Sequence, residues 1–353
     1  MSASRTPCGF IPPYLLDHIA DRGTDAQRAR ARGTLQHVRS LLHNPGPPGL
    51  KAAPGPAPGL ATPGQPQRRI HDAGGRMELP GALRRSEGQG PSGDAAVDEA
   101  YEALGATYAL FWEVYGRDSI DGRSFPLIGT VHYGQAYENA FWNGEQMVFG
   151  DGDGEIFQRF TRSLDVVAHE LTHGVIESEA ALVYANQSGA LNESLSDVFG
   201  VLTKQYRLGQ RADEADWLVG AELLTERVQG RALRSMAAPG TAYDDPLLGK
   251  DPQPAHMRDF IVTRDDNGGV HLNSGIPNRA FYLAAMAIGG PAWERAGRIW
   301  YDTLLDRRLA NDADFAAFAA LTVRQAQGRF GAGSAEARAV AQAWAEVGVE
   351  VTS

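Results

Sequence analysis

Leu164-Asp165-Val166-Val167-Ala168-His169-Glu170-Leu171-Thr172-His173-Gly174-Val175-Ile176-Glu177 carries a helical period without a break. In a helix, positions four apart project from one face, so His169 and His173 can offer both imidazoles to a single ion. Glu170 lies between them and points to the same side, close enough to act as a base on water held there. Two ligands do not make a site. Glu193 follows twenty residues after His173, in Asn192-Glu193-Ser194-Leu195-Ser196-Asp197 at the start of the next helical pattern. Two histidines and a glutamate with one position left open form the donor set of a catalytic zinc, not of a closed structural one. Asp197, one turn beyond Glu193, is placed to accept the second ring N–H of a ligating histidine and so fix its tautomer.

The sequence on either side divides in character. From Arg69 to Phe160 it is strand-rich, with runs such as 129–133 and 146–149 bounded by Gly, Asn and Asp turns. One helix interrupts them from Asp94 to about Val114, with Val97, Tyr101, Leu104, Tyr108 and Phe111 at helical spacing. After Leu164 the patterns are long and helical: 164–177, 193–206, 274–287 and three more toward the C-terminus. Ahead of the strands, 12–43 reads as two short helices, one striped by Leu15, Leu16 and Ile19 and the other, after a break at Gly33, by Leu35, Val38, Leu41 and Leu42. Residues 44–66 hold eight of the twenty prolines and no period, which marks a linker. The expected organisation is a helical leader at 1–43, a Pro/Gly-rich linker at 44–68, a β-rich domain at 69–178 ending in the HExxH helix, and a helical domain at 179–353.

Composition narrows the function. With 353 residues, 43% of them hydrophobic and 22% charged, the chain is long enough for two cored domains. The net charge of −10 speaks against nucleic acid, which needs a concentrated basic face. That charge is unevenly spread: seven basic and three acidic residues up to Gln67 leave −14 for the remainder, so a basic leader faces an acidic body. Cys8 alone can form no internal disulfide. No secretory signal opens the sequence and no run approaches a membrane span, so cytoplasmic synthesis is expected, with any export by a non-classical route, and neither a membrane nor nucleic acid as partner.

Beyond these residues the chain resembles a known family. HELTH, ALNESLSD, DNGGVHLNSG from Asp266 to Gly275, NAFWNG from Asn139 to Gly144 and GDGDG from Gly150 to Gly154 are similar, in order and spacing, to the thermolysin-type zinc metallopeptidases. The leader, with Ile11-Pro12-Pro13-Tyr14-Leu15-Leu16, resembles the short prosegment of the protealysin-like branch. The resemblance implies an α+β, two-domain fold, β-rich then α-helical, with the active-site cleft between the domains. It implies a metalloendopeptidase with one catalytic Zn2+ on His169, His173 and Glu193. Glu170 would be general base, Tyr184 and His271 would face the oxyanion, and Asp266 would orient His271. Asn139, the carbonyl of Ala140 and Arg234 would hold the substrate backbone. Phe157, Phe160, Val166, Val219 and Leu233 would line the pocket for the residue after the scissile bond, favouring cleavage before Leu, Phe, Ile or Val.

Peptides and proteins are then the substrates, the prosegment is an intramolecular inhibitor, and a monomer is expected. Removal of the leader is expected within Asn44 to Ile70, before Leu50, Leu60 or Ile70, and Cys8 is a candidate thiolate for latency. The chain departs from the family at its calcium sites. Asp165 and Asp216 match two ligands of a double site, but Lys204, Leu218 and Ala221 stand at other ligand positions, and Arg231 replaces an aspartate of a second site. Ca2+ needs six to eight oxygens, so it is not expected at either. An aminopeptidase would require an acidic motif for the substrate amine, and none is evident. A metal-binding module without turnover would not need Glu170, Tyr184 and His271.

Overall fold

The computed structural model describes residues 8–43 and 62–351. Most of the linker, with Leu50 and Leu60, lies outside them, as does the side chain of Cys8. The described residues divide into two compact units, one of those up to 175 with 222–229 and 245–249, and one of 176–221, 230–244 and those from 250 onward.

The first unit begins with strand β1 (Cys8–Gly9) and helices α1 (Pro13–Arg22) and α2 (Asp25–His43). Proline suits the first turn of α1, where an N–H would have no helical partner. The helix buries Leu15, Leu16 and Ile19 and ends at Gly23. Thr24 and Gln27 then form a capping box: Thr24 Oγ1 accepts from the Gln27 N–H and Gln27 Oε1 from the Thr24 N–H. The break between the helices therefore falls at Gly23 and Thr24, and the break expected at Gly33 is absent. α2 runs straight through Gly33, with Ala31, Thr34 and Leu35 buried on either side. An interior glycine costs a helix only about 1 kcal/mol relative to alanine, less than burial of such a face contributes.

A mixed six-stranded sheet follows, formed by β1 with β2 (Arg68–Asp72), β3 (Ala82–Ser86), β4 (Leu127–Val131), β5 (Ala140–Trp142) and β6 (Met147–Phe149) in the order β1-β5-β6-β4-β2-β3. β2, β4 and β6 run parallel, while β5 and β3 flank them antiparallel. The edge strand β1 comes from the leader, antiparallel to β5 with Cys8 opposite Trp142 and Gly9 opposite Phe141. Helix α3 (Ala95–Ala109) continues into a π-helical turn at Leu110–Val114, close to the expected span. Asp94 caps it by accepting from the Ala96 and Val97 N–H groups. Against β5 the zinc-motif helix α4 (Leu164–Glu179) approaches closely. A Cβ on Gly174 would lie 2.9 Å from Ile120 Cγ2 and 3.1 Å from the Trp142 ring, so a glycine is required beside His173.

The second unit is mainly helical, with a short antiparallel pair β7 (Leu218–Val219) and β8 (Arg234–Ser235) and an isolated bridge between Gly230 and Tyr243. Its helices are α5 (Asn186–Leu208), α6 (Asp266–Asn273), α7 (Gly275–Ile288), α8 (Ala296–Leu304), α9 (Phe315–Phe330) and α10 (Ala335–Glu346). α5 starts seven residues before Glu193, which therefore sits in the helix interior and not at its start. The core gathers Phe281, Trp300, Phe318 and Trp344, the two indoles stacked at 6.2 Å and the Trp344 N–H donated to Thr322 Oγ1 at 2.8 Å. Thus a mixed sheet precedes a helical domain, as the strand-then-helix patterning requires. Among the described residues, no helix is long and apolar enough to cross a membrane.

His132 ties the cap of α3 to the loop after β6. Its Nδ1 meets Asp151 Oδ2 at 2.9 Å and its Nε2 meets Asp94 Oδ2 at 3.0 Å. The hydrogen bond to Asp151 leads, and with help from Asp94 it outweighs burial and raises the imidazole from 6.5 to about 9. A folded-state pKa above the unfolded one gives stability that is complete below about 6.5 and lost as pH rises through about 9. His132→Gln should therefore lower stability at pH 6 by about 1–2 kcal/mol, discounted for partial exposure, and by much less at pH 10. Urea titrations at the two pH values check this; a deficit that is constant or grows with pH would contradict it. The strained backbone at His132, φ 53°, is common to both conditions and drops out of the comparison.

Candidate metal and peptide site

Helical spacing alone brings His169 and His173 together. Their Nε2 atoms lie 2.9 Å apart, both rings are buried, and Glu170 between them is fully buried. The Phe10 ring from the leader stands edge-on to His169, with centroids 5.1 Å apart.

The carboxylate of Glu193 is held by a second constellation. Tyr184, just before α5, donates its hydroxyl to Glu193 Oε1 at 2.5 Å and lies 3.3 Å from His271 Nε2, which is 3.5 Å from Glu193 Oε2. His271 owes its placement to an unusual helix start: Asn267, Gly268 and Gly269 all have positive φ, and the chain folds back so that Asp266 reaches His271 twice. Asp266 Oδ2 accepts the His271 N–H at 2.8 Å and Oδ1 pairs with Nδ1 at 2.6 Å. Burial opposes charge on this imidazole, but the Asp266 and Glu193 carboxylates outweigh it and push it up to about 9. A cation on Glu193 would weaken that push.

His169, His173 and Glu193 each offer one ligand atom within 4.8 Å of the others, and all three residues are buried. The donor set fits zinc. At 2.9 Å the two imidazole nitrogens can share at most one proton, so at least one lone pair is directed at the other nitrogen, a contact that a shared cation relieves. Two neutral imidazoles with a carboxylate form a catalytic His2Glu set.

Asp197 accepts from Arg234 at 2.8 and 2.7 Å and from Asn278 Nδ2 at 2.9 Å. Arg234 is thereby fixed in a fork-on-carboxylate geometry, with its side chain only 2% exposed. Between β7 and β8, Arg234 pairs with Val219, and the Leu233 N–H donates to the Val219 carbonyl at 3.1 Å. In the first unit, Phe157 and Phe160 lie ring to ring at 6.2 Å and Val166 is buried.

Asn139 and Ala140 grip the leader. Phe10 N–H donates to the Ala140 carbonyl at 2.9 Å, Ile11 N–H to Asn139 Oδ1 at 2.8 Å, and Asn139 Nδ2 to the Ile11 carbonyl at 3.4 Å. The main chain of the leader thus uses the groups assigned above to substrate backbone. Phe10, Arg30, Glu138 and Asn278 escaped the sequence reading. Only Arg30 left a trace there, as part of the basic excess of the leader.

Comparison with known proteins matches the described units and the leader to known families. Residues 82–177 match the thermolysin metallopeptidase catalytic domain, residues 180–349 its α-helical domain and residues 8–49 the protealysin propeptide. The chain is 60% identical to an extracellular metalloprotease of Pectobacterium carotovorum subsp. carotovorum, over 99% of this chain and 98% of that one. It is 50% identical to Protease PrtS of a Photorhabdus species, over 97% and 92%. The solved precursor of protealysin, a metalloproteinase from Serratia proteamaculans, superposes with a TM-score of 0.89 at 57% identity, covering 97% of this chain and all of that one.

The close approach of α5 to Tyr184 and α6 depends on Gly189. A Cβ there would fall 2.4 Å from Val270 Cγ1 and 2.9 Å from the Tyr184 carbonyl carbon. Gly189→Ala should therefore destabilise the protein by about 1–3 kcal/mol, through overpacking that no flexible side chain can absorb. Thermal unfolding checks this; an unchanged melting temperature would show that α5 and α6 are packed loosely enough to admit a methyl group.

Proposed function

The chain belongs to the thermolysin metallopeptidases and carries a protealysin-type propeptide, and from that premise we propose a zinc endopeptidase made as a latent precursor and active outside the cell. It cuts on the N-terminal side of bulky apolar residues. The observation that carries this reading is the buried group of His169, His173 and Glu193. When bound, zinc supplies a Lewis acid that polarises the peptide carbonyl and acidifies water.

The chain's own residues do the rest. Glu170, set between the two histidines, takes the proton of the attacking water and returns it to the leaving amine, so one carboxylate serves as base and then acid. Tyr184 and His271 donate toward the developing oxyanion. Asp266 holds Nδ1 of His271, which leaves Nε2 and its proton to face substrate. Asn139 and Ala140 bind the peptide backbone, and Arg234, braced by Asp197, adds a donor for a substrate carbonyl. Asp197 is also assigned to orient a ligating histidine. Phe157, Phe160, Val166, Val219 and Leu233 select an apolar side chain by size and desolvation. The leader inhibits because its backbone occupies the Asn139 and Ala140 groups. The extracellular setting rests on the names of the relatives, and a monomer remains the expectation.

Calcium is not required at the two departed family sites. Lys204 Nζ reaches Asp216 Oδ1 at 3.1 Å and the Leu218 carbonyl at 2.9 Å, so an ammonium group serves these oxygens. Arg231 supplies no carboxylate at the other.

Glu170→Ala should keep a full complement of zinc and lose at least about 10³-fold in peptidase kcat, because the three ligands are untouched. Metal analysis beside peptide turnover checks this, and a variant with near-normal turnover would defeat the mechanism. Phenanthroline should abolish activity, whereas EGTA should leave the melting temperature within about 2 °C. A large EGTA-induced loss that calcium restores would contradict the substitution of Lys204 and Arg231 for calcium.

A further inference from the structure

Arg30 of α2 is a leader side chain seated among three carboxylates of the peptidase body. Its Nη2 lies 3.0 Å from Asp153 Oδ2 and 3.3 Å from Glu155 Oε2, and its Nε lies 3.8 Å from Glu138 Oε1. The three acids differ in what else they do. Asp153 Oδ1 organises its own loop by accepting from the N–H groups of Glu155, Ile156 and Phe157, which leaves Oδ2 for the guanidinium. Glu155 is partly exposed and is also met by Gln27. Glu138 is the anomaly. Its side chain has no solvent exposure, and neither carboxylate oxygen accepts a hydrogen bond. A buried carboxylate whose oxygens accept no hydrogen bond calls for an explanation beyond packing. Burial, with Asp153 beside it, pushes Glu138 up to about 8 against the opposing pull of Arg30, the cation that offsets this penalty.

The register of the leader says what else could meet Glu138. Cys8 lies opposite Trp142, Gly9 opposite Phe141, and Phe10 donates to the Ala140 carbonyl. The backbone ladder ends there, since Ile11 donates to the Asn139 side chain, but the same antiparallel register continued by two steps would set position 12 opposite Glu138. Side chains directly opposite each other stand on the same face of a sheet. The leader leaves this path at Pro12, where α1 begins, and brings Arg30 back from α2 to the place a straight peptide would reach with its own side chain. An extended substrate following Phe10 and Ile11 along Asn139 does not turn away.

We propose that Glu138 and Asp153, with Glu155 at the rim, form a subsite for an arginine or lysine side chain of the substrate, two residues beyond the one that takes the Phe10 register, and that Arg30 is its surrogate in the precursor. This rests on the peptidase reading and deepens it, adding a basic preference at one position on the C-terminal side of the cut to the apolar preference already described.

The test uses processed wild-type protein and a peptide series that places Arg, Lys, Gln or Glu in turn at each of the four positions following the scissile bond. At one position Arg and Lys should exceed Gln in kcat/KM by about tenfold, with Glu the poorest, because a guanidinium or ammonium group then gains charge-assisted contacts that a neutral side chain lacks. In Glu138→Gln the Arg-to-Gln ratio at that position should fall toward one. The ratio is internal to each protein, so a general loss of activity in the variant does not affect it. Equal rates for Arg and Gln at all four positions in wild type, or an unchanged ratio in Glu138→Gln, would overturn the proposal. An arm without turnover separates this from failure of the peptidase reading. The full-length Arg30→Ala chain should bind N-acetyl-argininamide in calorimetry and not N-acetyl-glutaminamide, whereas wild type, with Arg30 in place, should bind neither. Absence of argininamide binding by Arg30→Ala would sink the subsite even if peptides are cleaved. Absence of all peptide turnover would sink the peptidase reading and leave the subsite to be decided by calorimetry.

Discussion

Three buried polar residues with converging ligand atoms, two imidazoles and a carboxylate, are the constraint around which the molecule is arranged. Desolvating such groups is expensive unless a charge common to all of them offsets the loss. Glycines therefore stand where bulk would force the helices away: Gly174 keeps α4 against Trp142, and Gly189 keeps α5 against Tyr184 and Val270. Around Glu193 the same economy appears in hydrogen bonds. Tyr184 donates to one oxygen and His271 approaches the other, and Asp266 holds His271 from behind through both main chain and ring.

A second constraint comes from the edge of β5 that the leader covers. An unpaired strand edge beside a peptide-binding site is what a substrate needs and what a newly made protease must not offer. In the precursor the leader adds β1 to that edge and satisfies Asn139 and Ala140 with its own main chain, the groups that the proposed function assigns to the substrate backbone. The basic charge of α2, visible as a bulk imbalance in composition, resolves into one guanidinium on Asp153 and Glu155 with Glu138 close by.

What the sequence disclosed follows from which forces are local. The pairing of His169 with His173 depends only on helical rise, and the long spans of α3, α4 and α7 depend on apolar periodicity, so all were legible. Glu193 could be nominated by spacing, yet its place in the interior of α5 could not, because residues 186–192 have no strong apolar stripe. Glycine read as a helix breaker puts the division between the leader helices at Gly33, whereas the Thr24 and Gln27 capping box marks the true start of α2. The helix at α6 was invisible because Asn267-Gly268-Gly269 reads as a loop, and those positive-φ residues are what return Asp266 to His271. Pairings of residues far apart in the chain, such as Asn278 with Asp197 or Arg30 with Asp153, leave no periodic trace at all.

The buried histidine pair and Glu193 fit one zinc ion with a position left for chemistry. X-ray absorption at the zinc edge of purified full-length protein addresses this directly. The expected spectrum shows one zinc per chain, two imidazoles at about 2.0–2.1 Å, a low-Z oxygen shell and no sulfur. A sulfur shell at about 2.3 Å would assign a ligand to Cys8 and make the open position a closed one, and a spectrum without imidazole scattering would remove His169 and His173 from the metal altogether.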